Sequence, residues 1–383
     1  MDKIRLAAIS AFGLEAIVKR ELNELGYDNV VTDNGWMYFD AKVEDIPKTN
    51  INLRCADRVM LVMGQFEVYS FEELFDKTYE LPWEKWITKE GKFTVKGKSV
   101  KSKLYSTPDC QAIVKKAVSK KLCEEYDVEW MPETGAEFTI QISIHKDIAT
   151  LSIDTTGARE GLFKRGYREK STEAPLKETM AAALVKLSFW NKDRVLYDPL
   201  CGSGTIAIEA AMIGRNIAPG LYRTFASENW PIVKEEYWKD AKIEARKKID
   251  IDSEIKIYAS DISAKAISIA KENAIEAGVD DCIDFFVKDV EHIKEPLCSN
   301  GILITNPPYG ERIGEISDIQ KIHRKLGQVF GKDKTWSVYA ITSIDSFEKD
   351  FGRKADRKRK LFNGNVKVDY YQYFGERPNK NND

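Results

Sequence analysis

Cysteine and histidine are scarce in this chain, with six cysteines and three histidines among 383 residues. Cys55, Cys110, Cys123, Cys201, Cys282 and Cys298 form no Cys-x-x-Cys pair, and His145, His292 and His323 are scattered, so neither a disulfide framework nor a zinc ligand set is spelled out. No metal is expected. No stretch approaches the roughly 20 apolar residues of a membrane span, and Met1-Asp2-Lys3-Ile4-Arg5 lacks the apolar core of a secretory signal, which makes the cytoplasm the expected compartment. An excess of one charge is also missing. With 59 Lys+Arg against 61 Asp+Glu the formal net charge is −2, so any affinity for a polyanion has to come from how charge is distributed. There is no internal repeat and no low-complexity tract; only the tail, residues 377–383, has the composition of a disordered segment.

The length exceeds what one hydrophobic core organises, so two or three domains are expected. The first 68 residues read as β-α-β-β-α-β, the ferredoxin-like order: a strand at 4–10, an amphipathic helix at 14–25 ending at Gly26, a hairpin of strands 29–32 and 36–40, a helix at 44–54 and a strand at 59–66. The hairpin turns at Asp33-Asn34-Gly35, where Asn-Gly tolerates positive φ. Helices near 71–80 and 110–126 follow, then alternating strands at 137–145 and 147–154. A linker is expected at 155–175, with Phe163 and Tyr167 packing against something.

Charge is uneven in two places. Between Gly91 and Lys121 nine lysines face one acid, Asp109, along a strand at 93–95, a loop through Lys101 and Lys103, and a helix with Thr107 as N-cap and Pro108 as first residue. Lys98, Lys101 and Lys103 are the candidate phosphate contacts, and a merely solvated face is the competing reading. The second run is Arg353-Lys354-Ala355-Asp356-Arg357-Lys358-Arg359-Lys360, in which Arg353, Lys354, Arg357 and Lys358 are the candidate phosphate clamps.

The chemistry concentrates further along. Val195-Leu196-Tyr197 reads as a buried strand running into Asp198-Pro199-Leu200-Cys201-Gly202-Ser203-Gly204-Thr205, with a helix at 206–213 behind it. Gly202 and Gly204 permit positive φ and close backbone approach, and the helix N-terminus offers unpaired N–H groups to an anionic ligand. The loop lacks the third glycine of the dinucleotide fingerprint and the Gly-Lys-Ser/Thr of a P-loop, which favours S-adenosylmethionine over NAD or ATP. Asp261, followed by Ile262, closes the strand 255–260 and is placed to take the ribose hydroxyls. It lies 57 residues beyond Gly204, against roughly 20 in a compact dinucleotide unit, and an insert at 215–251 accounts for the excess. Asp289, closing the strand 285–288, is the candidate for an adenine amino group. Each carboxylate reads equally as a helix N-cap after a strand. Cys201 is a small loop side chain and not a nucleophile.

Asn306-Pro307-Pro308-Tyr309, at the end of the apolar run 301–305, points to methyl transfer onto a planar nitrogen. An exocyclic amine is a poor nucleophile because its lone pair is delocalised into the ring, so acceptors for its hydrogens help it react. Asn306 Oδ1 and the Pro307 carbonyl are the candidate acceptors, held by two prolines that restrict the backbone, and Tyr309 offers a face for a base to stack on. A Pro-Pro turn leaving a buried strand is the competing reading.

Residues from about 160 to 383, through the segments 198–205 and 306–310, resemble the class I S-adenosylmethionine-dependent methyltransferases. With Glu160-Gly161-Leu162-Phe163-Lys164-Arg165-Gly166-Tyr167-Arg168 and Glu173-Ala174-Pro175-Leu176-Lys177-Glu178-Thr179 the chain is similar, over essentially its whole length, to THUMP-domain methyltransferases that make N2-methylguanosine in large-subunit ribosomal RNA. The resemblance implies an α/β Rossmann-like methyltransferase domain at 161–383, preceded by an α+β ferredoxin-like domain at 1–68 and an RNA-binding THUMP domain at 69–160. It implies S-adenosylmethionine as cofactor and ribosomal RNA as partner, with Pro175, Leu176 and Lys177 closing over the methionine end. Cofactor contacts are expected from Asp198, Cys201, Gly202, Ser203, Gly204, Thr205, Asp261, Ile262, Asp289 and Asn306. Unlike the fused bacterial members, the chain ends soon after a strand at 370–374, so a single modification is expected. Adenine-N6 methylation, protein glutamine methylation and a non-catalytic RNA-binding role are the alternatives; the last predicts damage at Asp198, Gly202, Gly204 or Asn306, and none is damaged.

Overall fold

The computed structural model describes residues 3–157, 160–168, 176–308, 316–364 and 366–376. The chain divides into two compact units, one made of Met1–Ser10, Val18–Leu162 and Arg223–Glu244, the other of Ala11–Ile17, Phe163–Tyr222 and Ala245–Asp383.

In the first unit β1 (Ile4–Ile9), α1 (Glu15–Glu24), β2 (Val31–Asp33), β3 (Trp36–Ala41), α2 (Asp45–Asn52) and β4 (Arg58–Glu67) follow one another in the expected order. Asn34 and Gly35 both take positive φ, 45° and 82°, which joins β2 to β3 through the tight turn that an Asn-Gly pair favours. Then come α3 (Phe71–Tyr79), β5 (Lys92–Val100), α4 (Thr107–Glu125), β6 (Glu137–His145) and β7 (Ile148–Asp154). Because β7 pairs with β4, from Met60 opposite Asp154 to Glu67 opposite Ile148, the ferredoxin-like and THUMP segments share one seven-stranded sheet, ordered β2-β3-β1-β4-β7-β6-β5.

Two local expectations change. The strand at 93–95 runs on to Val100, so Lys98 is a strand residue and only Lys101 and Lys103 lie in the loop. Ser106, not Thr107, is the N-cap of α4: its carbonyl takes the Cys110 N–H at 3.0 Å, and Pro108 sits within the first turn where its missing N–H costs nothing. The expected insert is real, and residues 223–244 of it fold with the first unit. There Trp230 stacks on Phe138 at 4.9 Å and donates Nε1–H to the Glu137 carbonyl, while Ser227 Oγ donates to the Thr155 carbonyl at 2.7 Å.

The second unit is built on α5 (Glu178–Leu187), β8 (Leu196–Asp198), α6 (Thr205–Gly214), and, after α7 (Glu235–Lys247), β9 (Ile257–Asp261), α8 (Ala264–Glu276), β10 (Ile283–Val287), β11 (Ile302–Thr305), α9 (Ile316–Val329), β12 (Ser337–Thr342), α10 (Phe347–Phe351), β13 (Arg357–Asn363) and β14 (Val366–Tyr373). The strands order as β10-β9-β8-β11-β12-β14-β13; all neighbours from β10 to β12 are parallel, and β14 is antiparallel to both β12 and β13. This is an open Rossmann-like sheet whose order reverses between β8 and β11, and that reversal is where such sheets hold ligands. Ile302, Leu303 and Ile304 are fully buried because a parallel central strand is covered on both faces. Among the described residues no helix is long and apolar enough to cross a membrane.

His323 on α9 is fully buried against Phe347, ring centroids 4.6 Å apart, and neither ring nitrogen has a hydrogen-bond partner among the described residues. Burial lowers its pKa to about 4, with Asp350 opposing. The unfolded chain therefore binds a proton below about pH 6.5 that the native state refuses until about pH 4, so this residue makes stability fall as pH drops through that window, by up to about 3 kcal/mol. Denaturant titrations of wild type and His323→Phe across pH 4 to 7 test this; parallel pH profiles would clear His323 of the effect.

Candidate active site

The carboxyl ends of β8, β9 and β11 bring the expected residues together. Asp198 is buried, and one of its carboxylate oxygens accepts from Thr305 Oγ1 at 2.8 Å and from the Leu200 N–H at 3.2 Å. That single contact to Thr305 fixes the start of the Asn306-Pro307-Pro308 segment beside the glycine loop, since Thr305 is the last residue of β11. Burial pushes the Asp198 pKa up to about 7, against the lowering effect of those two hydrogen bonds. A carboxyl so poorly solvated gains from a cation placed beside it.

The loop itself is held from three sides. Cys201 N–H donates to the Ser260 carbonyl at 2.9 Å, Gly202 N–H to Asp261 Oδ2 at 3.0 Å, and Asn273 Nδ2 to the Ser203 carbonyl at 3.0 Å. Gly204 is the N-cap of α6 at φ +80°; a Cβ there would lie 3.0 Å from Ala270 Cβ and would demand a left-handed side-chain residue. Cys201 is buried, and burial raises its thiol well above the usual range, so it stays protonated. Asp261 Oδ1 also accepts the Ser263 N–H at 2.9 Å, so the carboxylate is oriented before any ligand arrives. Ile262 beside it is 66 % exposed, an apolar plate with no core to cover it. Asp289, two residues beyond β10, accepts the Glu291 N–H at 2.9 Å as the N-cap of a short helical turn. Both readings of these acids hold together, since a cap still leaves a carboxylate lone pairs to offer.

Asn306 carries the sharpest signal. Its Oδ1 is buried and has no hydrogen-bond partner among the described residues, an arrangement that costs about 1–3 kcal/mol unless a ligand completes it. Pro307 and Pro308 follow directly. Tyr309 and Pro175 lie outside the described residues.

A buried ionic network behind the loop gives Tyr167 a packing partner, as expected, but its ion pairs have no counterpart among the sequence expectations. Arg168 donates to the Leu176 carbonyl at 2.8 Å, to Thr205 Oγ1 at 3.3 Å and to Glu178 Oε2 at 2.9 Å. It thus ties Leu176 and Glu178 to the first residue of α6. One turn on, Glu209 takes the Arg165 guanidinium, Nε to Oε1 at 3.2 Å, and the Tyr167 hydroxyl at 3.1 Å. The available signal was Glu209 itself, a lone acid in the apolar run Thr-Ile-Ala-Ile-Glu-Ala-Ala-Met, which requires a buried partner.

The basic candidates separate. Lys98 and Lys101 project from β5 and from the loop after it, and the Lys103 ammonium lies 4.7 Å over the Tyr69 ring while its backbone N–H donates to Asp147. Arg353 pairs with Asp356 at 2.9 Å, and Lys358 pairs with Asp369 at 3.0 Å. Arg357 and Lys358 belong to β13, at the sheet edge, and Lys354 precedes it, exposed.

Family models match three stretches: the RlmL ferredoxin-like domain at 5–60, the THUMP domain at 68–154 and the RMKL-like methyltransferase domain at 165–372. A Bacillus subtilis protein, YpsC, named provisionally as an RNA methyltransferase, is 47 % identical over 98 % of this chain and 97 % of its own. The ribosomal RNA large subunit methyltransferase K/L of Psychromonas ingrahamii is 34 % identical over 93 % of this chain, and the chain spans about half the length of that relative, 48 %. Two solved structures superpose closely. A predicted N6-adenine-specific DNA methylase from Listeria monocytogenes is 48 % identical, covering 98 % of this chain and 97 % of its own with TM-score 0.92. A provisionally assigned methyltransferase complexed with SAH is 45 % identical, covering 98 % and 99 % with TM-score 0.91.

Proposed function

Because the chain belongs to the RMKL-like methyltransferases, with ferredoxin-like and THUMP segments ahead of the methyltransferase domain, we propose that it methylates the exocyclic N2 amine of a guanosine in large-subunit ribosomal RNA. The cofactor is S-adenosylmethionine, which supplies the electrophilic methyl group. Residues 1–68, 69–160 and 161–383 are the three domains of this reading, the first two gripping RNA and the third carrying the chemistry. The observation that carries it is the buried, unpartnered Asn306 Oδ1, one residue past the Thr305 that binds Asp198.

The residues fit the cofactor on their own geometry: a loop whose Gly202 and Gly204 both take positive φ, 54° and 80°, an oriented Asp261, and an orphaned acceptor. Gly202, Ser203, Gly204 and Thr205 approach it with backbone; Asp261 takes the ribose, Ile262 and Asp289 the adenine end, and Asp198 with Leu176 and Lys177 the methionine end. Asn306 Oδ1 and the Pro307 carbonyl accept the two amine hydrogens, so positive charge developing on nitrogen meets preset dipoles. Most of the rate comes from near-attack geometry, and the proton leaves to water after transfer. An adenine N6 amine presents the same two hydrogens, so product identity decides between them. Nucleoside mass spectrometry of ribosomal RNA from a deletion strain and its parent is expected to show loss of one N2-methylguanosine. Loss of N6-methyladenosine instead would replace the guanine reading, and an unchanged profile would end it.

Asp261→Ala is expected to weaken S-adenosylmethionine about 5- to 150-fold, the loss of roughly 1–3 kcal/mol for ribose hydroxyls left without a partner. Calorimetry showing wild-type affinity would remove Asp261 from the ribose. Replacing Lys98, Lys101 and Lys103 together with Ala should weaken RNA binding across many sequences and lower the salt slope by about 0.7 for each phosphate that loses its lysine, with cofactor affinity intact. Filter binding across a salt series that gave an unchanged slope and affinity would make these lysines a solvated face.

A further inference from the structure

The face of the first unit's sheet turned away from α4 carries a groove that the chemistry above does not use. Alternation along β5 sets Gly97 and Ser99 toward α4: a Cβ on Gly97 would lie 3.1 Å from Gln111 Cγ, and Ser99 Oγ donates to the Leu104 carbonyl at 2.6 Å. Lys98 and Val100 therefore face the other way. Register then lays one row of polar side chains across four strands, Lys98 opposite Ser143, Ser143 opposite Thr150 and Thr150 opposite Gln65, whose Nε2 donates to Thr150 Oγ1 at 3.2 Å. The β2–β3 turn forms a wall, with Asn34 Nδ2 3.3 Å from His145 Nδ1, and the stacked rings of Trp36 and Tyr38 close one side. The space enclosed is about 300 Å³, and all of its lining comes from this one unit.

We propose that this groove holds a single unpaired nucleotide of the RNA substrate, an inference that rests on the RNA reading above. Its polar donors and acceptors (Asn34, Gln65, Ser143, His145 and Thr150) suit the polar edge of a base. Lys98 and Lys146 line the same groove and supply positive charge for the backbone phosphate, while Asp33 at the turn repels phosphate from that end and so gives the strand a direction. Apolar Val100, Ile148 and the Trp36 and Tyr38 rings exclude water from the base faces. A duplex cannot enter, since its base edges are already paired and its backbones face outward. The groove also adjoins the Lys101 and Lys103 loop, because the Lys146 N–H donates to the Val100 carbonyl at 3.3 Å. Single-stranded RNA thus runs from that loop across the sheet.

The test uses the full chain and 4-thiouridine-substituted single-stranded RNA. Photocrosslinks are expected on the peptides containing Asn34 to Tyr38 and Ser143 to Lys146, mapped by mass spectrometry. Ser143→Trp, which fills the row, and Lys98→Glu, which reverses its charge without adding bulk, are each expected to cut affinity for single-stranded RNA about tenfold or more. Affinity for blunt duplex RNA and for S-adenosylmethionine should change less than about twofold, and the melting temperature of Lys98→Glu should stay at the wild-type value. Wild-type RNA binding and methylation together with undiminished binding by both variants and crosslinks elsewhere would overturn the groove and leave the RNA reading standing. Failure of the wild type to bind or methylate any ribosomal RNA would overturn both.

Discussion

Asn306→Ala is expected to lower the methyl-transfer rate by about 10²-fold or more while S-adenosylmethionine and RNA bind within about twofold of wild type. The expectation follows from an imbalance in the site. A buried amide oxygen with no donor among the described residues is a standing cost, and Pro307-Pro308 hold it there by denying the backbone the turn that would let it escape to water. Truncation removes that cost along with the acceptor. Stability is therefore expected to stay level or rise while the chemical step collapses, a pairing that ordinary damage to a core residue does not produce. Single-turnover kinetics with saturating cofactor, set beside thermal melts, reads both quantities. A variant that transfers methyl at the normal rate would remove Asn306 from the reaction, and a variant that is slow only because it has lost cofactor affinity would move it to the binding pocket.

Much of this site was legible because its chemistry is local. Gly202 and Gly204 flank the single residue Ser203, the prolines follow Asn306 directly, and Asp261 ends a strand, so each could be read without knowing what packs nearby. The ferredoxin-like order was legible for a similar reason: its helices and strands alternate with clear periodicity, and Asn34-Gly35 marks the hairpin. What escaped depends on distant partners. The inner face of β5 offers Gly97 and Ser99 where a strand ordinarily shows Val or Ile, because α4 packs too closely for a branched side chain; the periodicity fades after Val95 and the strand looked shorter than it is. Arg357 and Lys358, two of the four candidate phosphate clamps, begin an edge strand, where exposed Lys and Arg also protect against edge-to-edge pairing. Two of the four clamp candidates spend their charge on neighbouring acids, which leaves Lys354 and Arg357 as the members with no such pairing described. The shared sheet could not be read at all, since the β4–β7 pairing joins segments almost 90 residues apart with a bulge between Val62 and Gly64.

Arg165→Ala is expected to be the most destabilising of the changes considered, by about 3–5 kcal/mol, because it strands the Glu209 carboxylate inside the protein. Both side chains of the pair are essentially inaccessible, at 1 % and 0 % exposure, and the guanidinium meets both carboxylate oxygens, at 3.2 and 3.5 Å. Two charges in that setting are costly to bury even when paired, so the pair as a whole contributes little, and the penalty appears only when one member is removed. Arg165→Met combined with Glu209→Met should therefore recover most of the loss. For a domain of this size each kcal/mol moves the melting temperature by roughly 2–4 °C, which puts the single variant some 6–20 °C below wild type and the double variant much nearer to it. A double-mutant cycle with no coupling between the two positions would show the pairing to be incidental. The functional consequence should follow from position. Glu209 lies one turn into the helix whose first residue, Thr205, carries the glycine loop, and Arg168 ties that same residue to Leu176 and Glu178. The double variant, though folded, is thus expected to bind S-adenosylmethionine more weakly than wild type, since neutral methionines fill the space without the directional bonds that hold Tyr167 and the linker against α6. Wild-type cofactor affinity in a folded double variant would confine the network to stability.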